Sequence, residues 1–250
     1  MITAELMIEA QSNSAQVAEG ELRKLVRRLS SERGVRVVGE EYAEPELQEG
    51  LYSCMVELVV EFESLREYLM CSMRYAPSVI YLRAPDGLSL SAKELLEVLG
   101  EIISHLRRVY AAYNLRFKPS EEYEPQVGLE DYEAEELLEE GAIHVKLVAE
   151  VSGRSGEEAM NAFLSDVAEE AAVSRAKWEP SPEGGGRYLV GVDAYVNDAC
   201  SLLSMCIRYV PIIVQIVEPE VIRVSMAELQ DMGVELAGLA LDSAHMLLQG

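Results

Sequence analysis

The sequence predicts an α+β protein made of a tandemly duplicated βαββαβ unit with an extra C-terminal helix in each copy. Three observations carry this. First, Arg74-Tyr75-Ala76-Pro77 returns 134 residues later as Arg208-Tyr209-Val210-Pro211. At the same spacing Pro85 matches Pro219, Ser91 matches Ser225, Glu94-Leu95 matches Glu228-Leu229 and Glu101 matches Glu235. Second, the early halves align at a spacing of 141, Glu9 with Glu150 and Ser14 with Ser155. Third, apolar periodicity alternates between period two and period 3.6 in the same order in both halves.

In the first copy, Leu6 to Ala10 reads as a strand, and Ser14 caps a helix over 15–32 with Leu22, Leu25, Val26 and Leu29 on one face. Val35 to Val38 is a second strand, 40–50 a loop containing Pro45 and Gly50, and Tyr52 to Glu61 a long third strand. A short helix covers 63–75, Ser78 to Leu82 is the fourth strand, and a long helix fills 91–113. In the second copy the strands are Val145 to Val151, 172–178, Tyr188 to Tyr195 and Ile212 to Val217. The helices cover 156–171, a stretch capped by Asn197 and ending near Arg208, and a last segment opened by Ser225. Pro180 to Gly186 is a hairpin breaker. The change of spacing from 141 to 134 is expected between the second and third strands. This order is that of the ferredoxin-like split βαβ motif, whose usual form is a four-stranded antiparallel sheet with two helices on one face. The domains expected are 1–115 and 142–250, related by a pseudo-twofold axis and joined by 116–141. Within that joint, Lys118 to Pro125 reads as linker and Glu130 to Glu140 as a short acidic surface helix. The element order resembles that of small-molecule-sensing ferredoxin-like modules such as amino-acid-binding ACT domains. The resemblance lies in topology and implies a ligand-sensing role.

A net charge of −23 opposes nucleic acid and anionic membranes, because both need Lys and Arg facing phosphate. No apolar run approaches the roughly 20 residues of a membrane helix. With no basic segment at Met1 to Glu5, the expected location is the cytoplasm. Glu exceeds Asp and Arg exceeds Lys, a bias expected of a thermophile. Cys54, Cys71, Cys200 and Cys206 lack C-x-x-C spacing and are expected in the core.

Arg74-Tyr75 and Arg208-Tyr209 are the candidate ligand-binding residues. A guanidinium offers a bidentate fork to a carboxylate or phosphate. It is also at home at a helix C-terminus, so a structural role is open beside the ligand role. Ser91-x-x-Glu94 and Ser225-x-x-Glu228 read as capping boxes rather than as a Ser/Glu catalytic pair. Glu101 and Glu235 are weak candidates for a divalent cation. No catalytic residue and no cofactor motif is found. The leading expectation is a non-catalytic binding or regulatory module for a small anionic metabolite. The alternatives are an enzyme with a site between the repeats, drawing on Glu9, Glu150 and the two arginines, and a subunit of a larger assembly. A homo-oligomer or protein partner would use a sheet edge or the acidic segment 129–141.

Overall fold

The computed structural model describes residues 1–48, 50–113, 127–168 and 170–249. The chain is a mixed α+β protein with antiparallel sheets, and it divides into two compact units. The first comprises Met1–Leu88 with Ser225–Gly250, and the second Ser89–Val224.

Unit 1 is built on β1 (Ile2–Ser12), α1 (Ala15–Ser30), β2 (Val35–Tyr42), β3 (Glu46–Gln48), β4 (Leu51–Phe62), α2 (Leu65–Tyr75) and β5 (Val79–Ala84). The sheet order is β2-β4-β1-β5, with short β3 pairing on β4. Alternation fixes which face is buried. Ile2, Ala4, Leu6 and Ile8 of β1 and Val56, Leu58, Val60 and Phe62 of β4 point to the core and are almost fully buried. Against them α1 lays Ala18, Leu22, Val26 and Leu29, spaced on one helical stripe. The segment 40–50, expected as a loop, contains the end of β2 and all of β3 instead. Both continue the ladder on β4, so backbone pairing overrides the turn signal of Pro45 and Gly50.

Unit 2 contains β6 (Gly87–Ser91) in part, then α3 (Ala92–Tyr113), α4 (Asp131–Glu140), β7 (Ile143–Ser152), α5 (Gly156–Val167), β8 (Ala171–Pro180), β9 (Arg187–Val196), α6 (Ala199–Tyr209), β10 (Ile213–Glu218) and β11 (Val221–Ser225). Its sheet order is β10-β7-β9-β8, and β11 pairs with β6 as a two-stranded ribbon. Neither ribbon strand is legible as a strand in the sequence. The predicted linker Lys118 to Pro125 lies outside the described residues. Helix α4 forms where the acidic helix was expected and buries none of its residues.

Two expectations are corrected. Helix α6 is capped by Asp198, not Asn197: the Asp198 carboxylate accepts from the Ser201 amide at 2.7 Å. The shortening of the second half is not confined to its second-to-third strand region. Helix α5 has 12 residues against 16 in α1, and β9 has 10 against 12 in β4.

Helix α7 (Met226–Gln249) belongs to unit 1, where it packs on α2 and β5; α3 packs on α6 and β10 in unit 2. Each long helix starts with a reciprocal capping box. The Ser91 amide donates to Glu94 at 2.8 Å and the Glu94 amide to Ser91 Oγ at 3.2 Å, and Ser225 and Glu228 repeat this at 2.7 and 3.2 Å. Gly233 of α7 lies against fully buried Tyr68 of α2, whose hydroxyl donates to the Leu229 carbonyl at 3.0 Å. A Cβ on residue 233 would sit 2.6 Å from Tyr68 Cζ. Alanine gains about 1 kcal/mol of helix propensity over glycine, but the overlap costs more. Gly233→Ala is therefore expected to lower unfolding free energy by about 2 kcal/mol in denaturant melts. In a Tyr68→Phe background, which removes the nearest atom, the same substitution should cost clearly less.

Candidate functional site

Arg74 and Arg208 sit in the last turns of α2 and α6, and each helix then turns through a left-handed, non-glycine residue, Ala76 at φ 43° and Val210 at φ 44°. A β-branched residue there is strained by about 1–2 kcal/mol. The arginine and its neighbouring tyrosine bond to acids at or just past the C-terminal end of α1 in unit 1 and of α5 in unit 2. Arg74 Nη1 donates to Glu32 Oε2 at 2.8 Å, and the Tyr75 hydroxyl donates to Glu32 Oε1 at 2.6 Å. In unit 2, Arg208 reaches Asp166 Oδ2 at 3.2 Å and also Glu170, while the Tyr209 hydroxyl donates to Asp166. Glu32 and Asp166 each stand 42 residues before their arginine. Each Arg-Tyr pair thus grips a carboxylate of its own unit through two different donors. The sequence singles out the grippers but not the gripped residues. The signal available was their common spacing of 42, which the changing repeat offset obscures.

The two clamps differ in burial. The Arg74 side chain is 43% exposed, whereas Asp166 is 5% exposed and Glu170 Oε2 is buried without a hydrogen-bond partner. Removing Arg208 strands a buried carboxylate, so Arg208→Ala is expected to cost about 3 kcal/mol in urea unfolding. Arg74→Ala should cost less than about 1 kcal/mol. Burial first, then the bond to the adjacent carboxylate, pushes the Tyr75 and Tyr209 phenols well above the ordinary tyrosine range; burial does the same for Tyr68. Such groups contribute stability that is complete below the unfolded pKa of about 10. Above it the unfolded chain binds fewer protons than the folded one, so stability falls. Urea midpoints should drop from pH 8 to pH 10.5, and less steeply for Tyr209→Phe.

The other predicted residues fall on different elements. Glu101 lies on α3 in unit 2 and Glu235 on α7 in unit 1. Among the described residues no group of three or more His, Cys, Asp and Glu side chains is arranged to hold a metal. Glu9 bonds to Gln11 and Ser53, and Glu150 to Ser181 and Arg187. The cysteines are free thiols. Cys54, Cys71 and Cys206 are buried, and burial raises Cys206 to about 12.

A hollow of about 450 Å³ opens on the unit 2 sheet, lined by residues of β7, β8 and β9. Gly191 of β9 is part of its lining, and a Cβ there would lie 3.7 Å from the stem of Lys177 of β8 and 3.8 Å from Val148 of β7. Lys146, Arg175 and Lys177 stand around it, with Asp193 as the one carboxylate among the lining residues and Glu179 4.0 Å from Lys177 Nζ. Asp193 is held by His144 Nε2 at 2.6 Å, Lys146 Nζ lies 3.8 Å from its other oxygen, and the His144 ring stacks on Tyr195. These residues are far apart in sequence. Registers Lys146↔Asp193, Arg175↔Asp193 and Lys177↔Gly191 bring them together. The alternation of each strand marks them as outward-facing, but only the strand order makes them neighbours. A second cleft of about 340 Å³ in unit 1 is lined by Arg23, Arg27 and Tyr42, with Glu40 inside it and the Arg23 guanidinium stacked 4.3 Å over the Tyr42 ring.

Among the described residues no helix is long and apolar enough to cross a membrane. One relative is described as Uncharacterized protein MJ0538 of Methanocaldococcus jannaschii. It is 24% identical over 263 residues, spanning 99% of this chain and 99% of that one. A model of the MJ0538 family matches residues 3–249, and on that match the chain belongs to the MJ0538 family.

Proposed function

We propose that the chain is a cytoplasmic, non-catalytic binding module for a small anionic metabolite, and that the hollow over Gly191 takes the ligand. The observation that carries this is three cations grouped over an apolar floor in a chain of net charge −23. Leu147, Val148, Ala176 and Val192 form that floor, and the volume falls in the range of small-molecule sites. The ligand class is a carboxylate or phosphate with a small apolar body. Arg74-Tyr75 and Arg208-Tyr209 are secondary positions in this reading. An anion reaches them only by displacing Glu32 or Asp166, and Arg74 is the more exposed of the two arginines.

The same proposal reads the chain as a tandem duplication of a ferredoxin-like unit. In its support, the unit 1 sheet, its short β3 aside, and the four-stranded unit 2 sheet share one strand order, and α2, β5 and β6 recur as α6, β10 and β11 with identical lengths. The repeats run over 1–115 and 142–250, and each gives its last helix to the other compact unit.

A second reading, an enzyme, is favoured by one observation. The 2.6 Å His144–Asp193 pair beside Lys146 has the geometry of an oriented acid–base group. Thermal unfolding with a panel of carboxylates and phosphates separates the readings. A binder gains several degrees from one compound, and Gly191→Leu, which fills the hollow, abolishes the gain. An enzyme consumes the compound and loses its rate in His144→Ala. No shift with any member of the panel counts against both.

A further inference from the structure

The open sheet faces of the two units carry opposite charge at two matching positions. Glu5, Glu41 and Glu57 of unit 1 stand, by strand register, where unit 2 has Lys146, Lys177 and Gly191. Glu5 is engaged by Arg83 of its own sheet, as Lys146 is by Asp193 at 3.8 Å and Lys177 by Glu179 at 4.0 Å in exposed, loose pairs. Glu41 and Glu57 are different: they are directly opposed across the β2–β4 ladder, and both are exposed. A like-charge cross-strand pair destabilises the sheet that holds it, and none of the salt bridges among the described residues neutralises this one. The same faces leave large apolar side chains in water on their edge strands, Val79 at 47% and Tyr81 at 58% in unit 1, and Ile213 at 54% in unit 2. Isolated exposed apolar residues are ordinary, but an apolar row beside a complementary charge set marks a contact surface.

We propose that the acidic open face of unit 1 docks onto the basic open face of unit 2 of a second copy of this chain. Lys146 and Lys177 meet Glu41 and Glu57, and the exposed β5 and β10 side chains are covered in the same contact. Charge complementarity selects a second copy as the occupant, since every copy carries both faces. The inference goes beyond the ligand reading and does not need it.

The test is sedimentation of the full chain, with no anion other than low salt, from about 5 to 500 μM. The expected result is a mass that rises with concentration at 20 mM salt and returns to the monomer at 1 M salt, because the contact is electrostatic. Lys146→Glu/Lys177→Glu and Glu41→Lys/Glu57→Lys should each weaken association at least tenfold. Mixing the two variants, or combining all four substitutions in one chain, should restore it, because opposite faces then meet again. Restoration also shows that the variants fold. A monomer at every concentration in low salt overturns the proposal, as does association unaffected by salt and by both variants. A ligand-induced thermal shift in a chain that stays monomeric leaves the anion reading standing and removes this one. Association with no ligand response does the reverse.

Discussion

Helix α2 is buried around more of its circumference than one sheet can cover, and the arrangement of the chain depends on that. Leu65, Tyr68, Leu69, Met70, Cys71, Met73 and Tyr75 are all withdrawn from water, far more than the single stripe of an ordinary surface helix. The sheet takes one side. The other side must be closed by a second apolar helix, and within the same compact unit that helix is α7, the last element of the sequence. Tyr68 over Gly233 shows how close the fit is: the phenol fills the space a side chain on residue 233 would need, and its hydroxyl is satisfied by the Leu229 carbonyl. At the positions 134 residues away stand Leu202 and Leu99, both fully buried. Both are medium-sized side chains, where Tyr68 is large and Gly233 has none.

The Arg-Tyr pairs show a second constraint, that a buried carboxylate must be met by donors. At the end of each helix, arginine and tyrosine bond to one acidic side chain. In unit 1 the clamp is half in water and cheap; in unit 2 Asp166 is buried, and Glu170 crowds in beside it. The geometry that recommends such a pair for a ligand carboxylate is thus already in use within the fold. That shifts interest to cations such as Arg175, which no carboxylate of the sheet engages so closely.

Much of the fold was legible because period two and period 3.6 are strong local signals. Every long strand and helix of the sheets was read from apolar spacing, and the capping boxes at Ser91 and Ser225 from four residues each. What escaped was set by partners distant in sequence. Strands β3, β6 and β11 are short, and pairing rather than pattern makes them strands. Asn197 and Asp198 are both good caps, and only the backbone entering α6 decides between them. The hollow at Gly191 was illegible for a related reason. Its cations come from three strands and become neighbours only through register, so no motif or spacing along one segment marks them.

The placement of α7 has a consequence for synthesis on the ribosome. Domains usually fold as they emerge, N-terminal first. Here the N-terminal sheet and α2 leave the exit tunnel with a buried surface still uncovered, and the helix that closes it is translated after the whole of unit 2. Unit 2 has all its own segments, Ser89–Val224, before that helix is made. The order of completion therefore inverts the order of translation: the middle of the chain can settle first, and the N-terminal unit closes only after α7 is made.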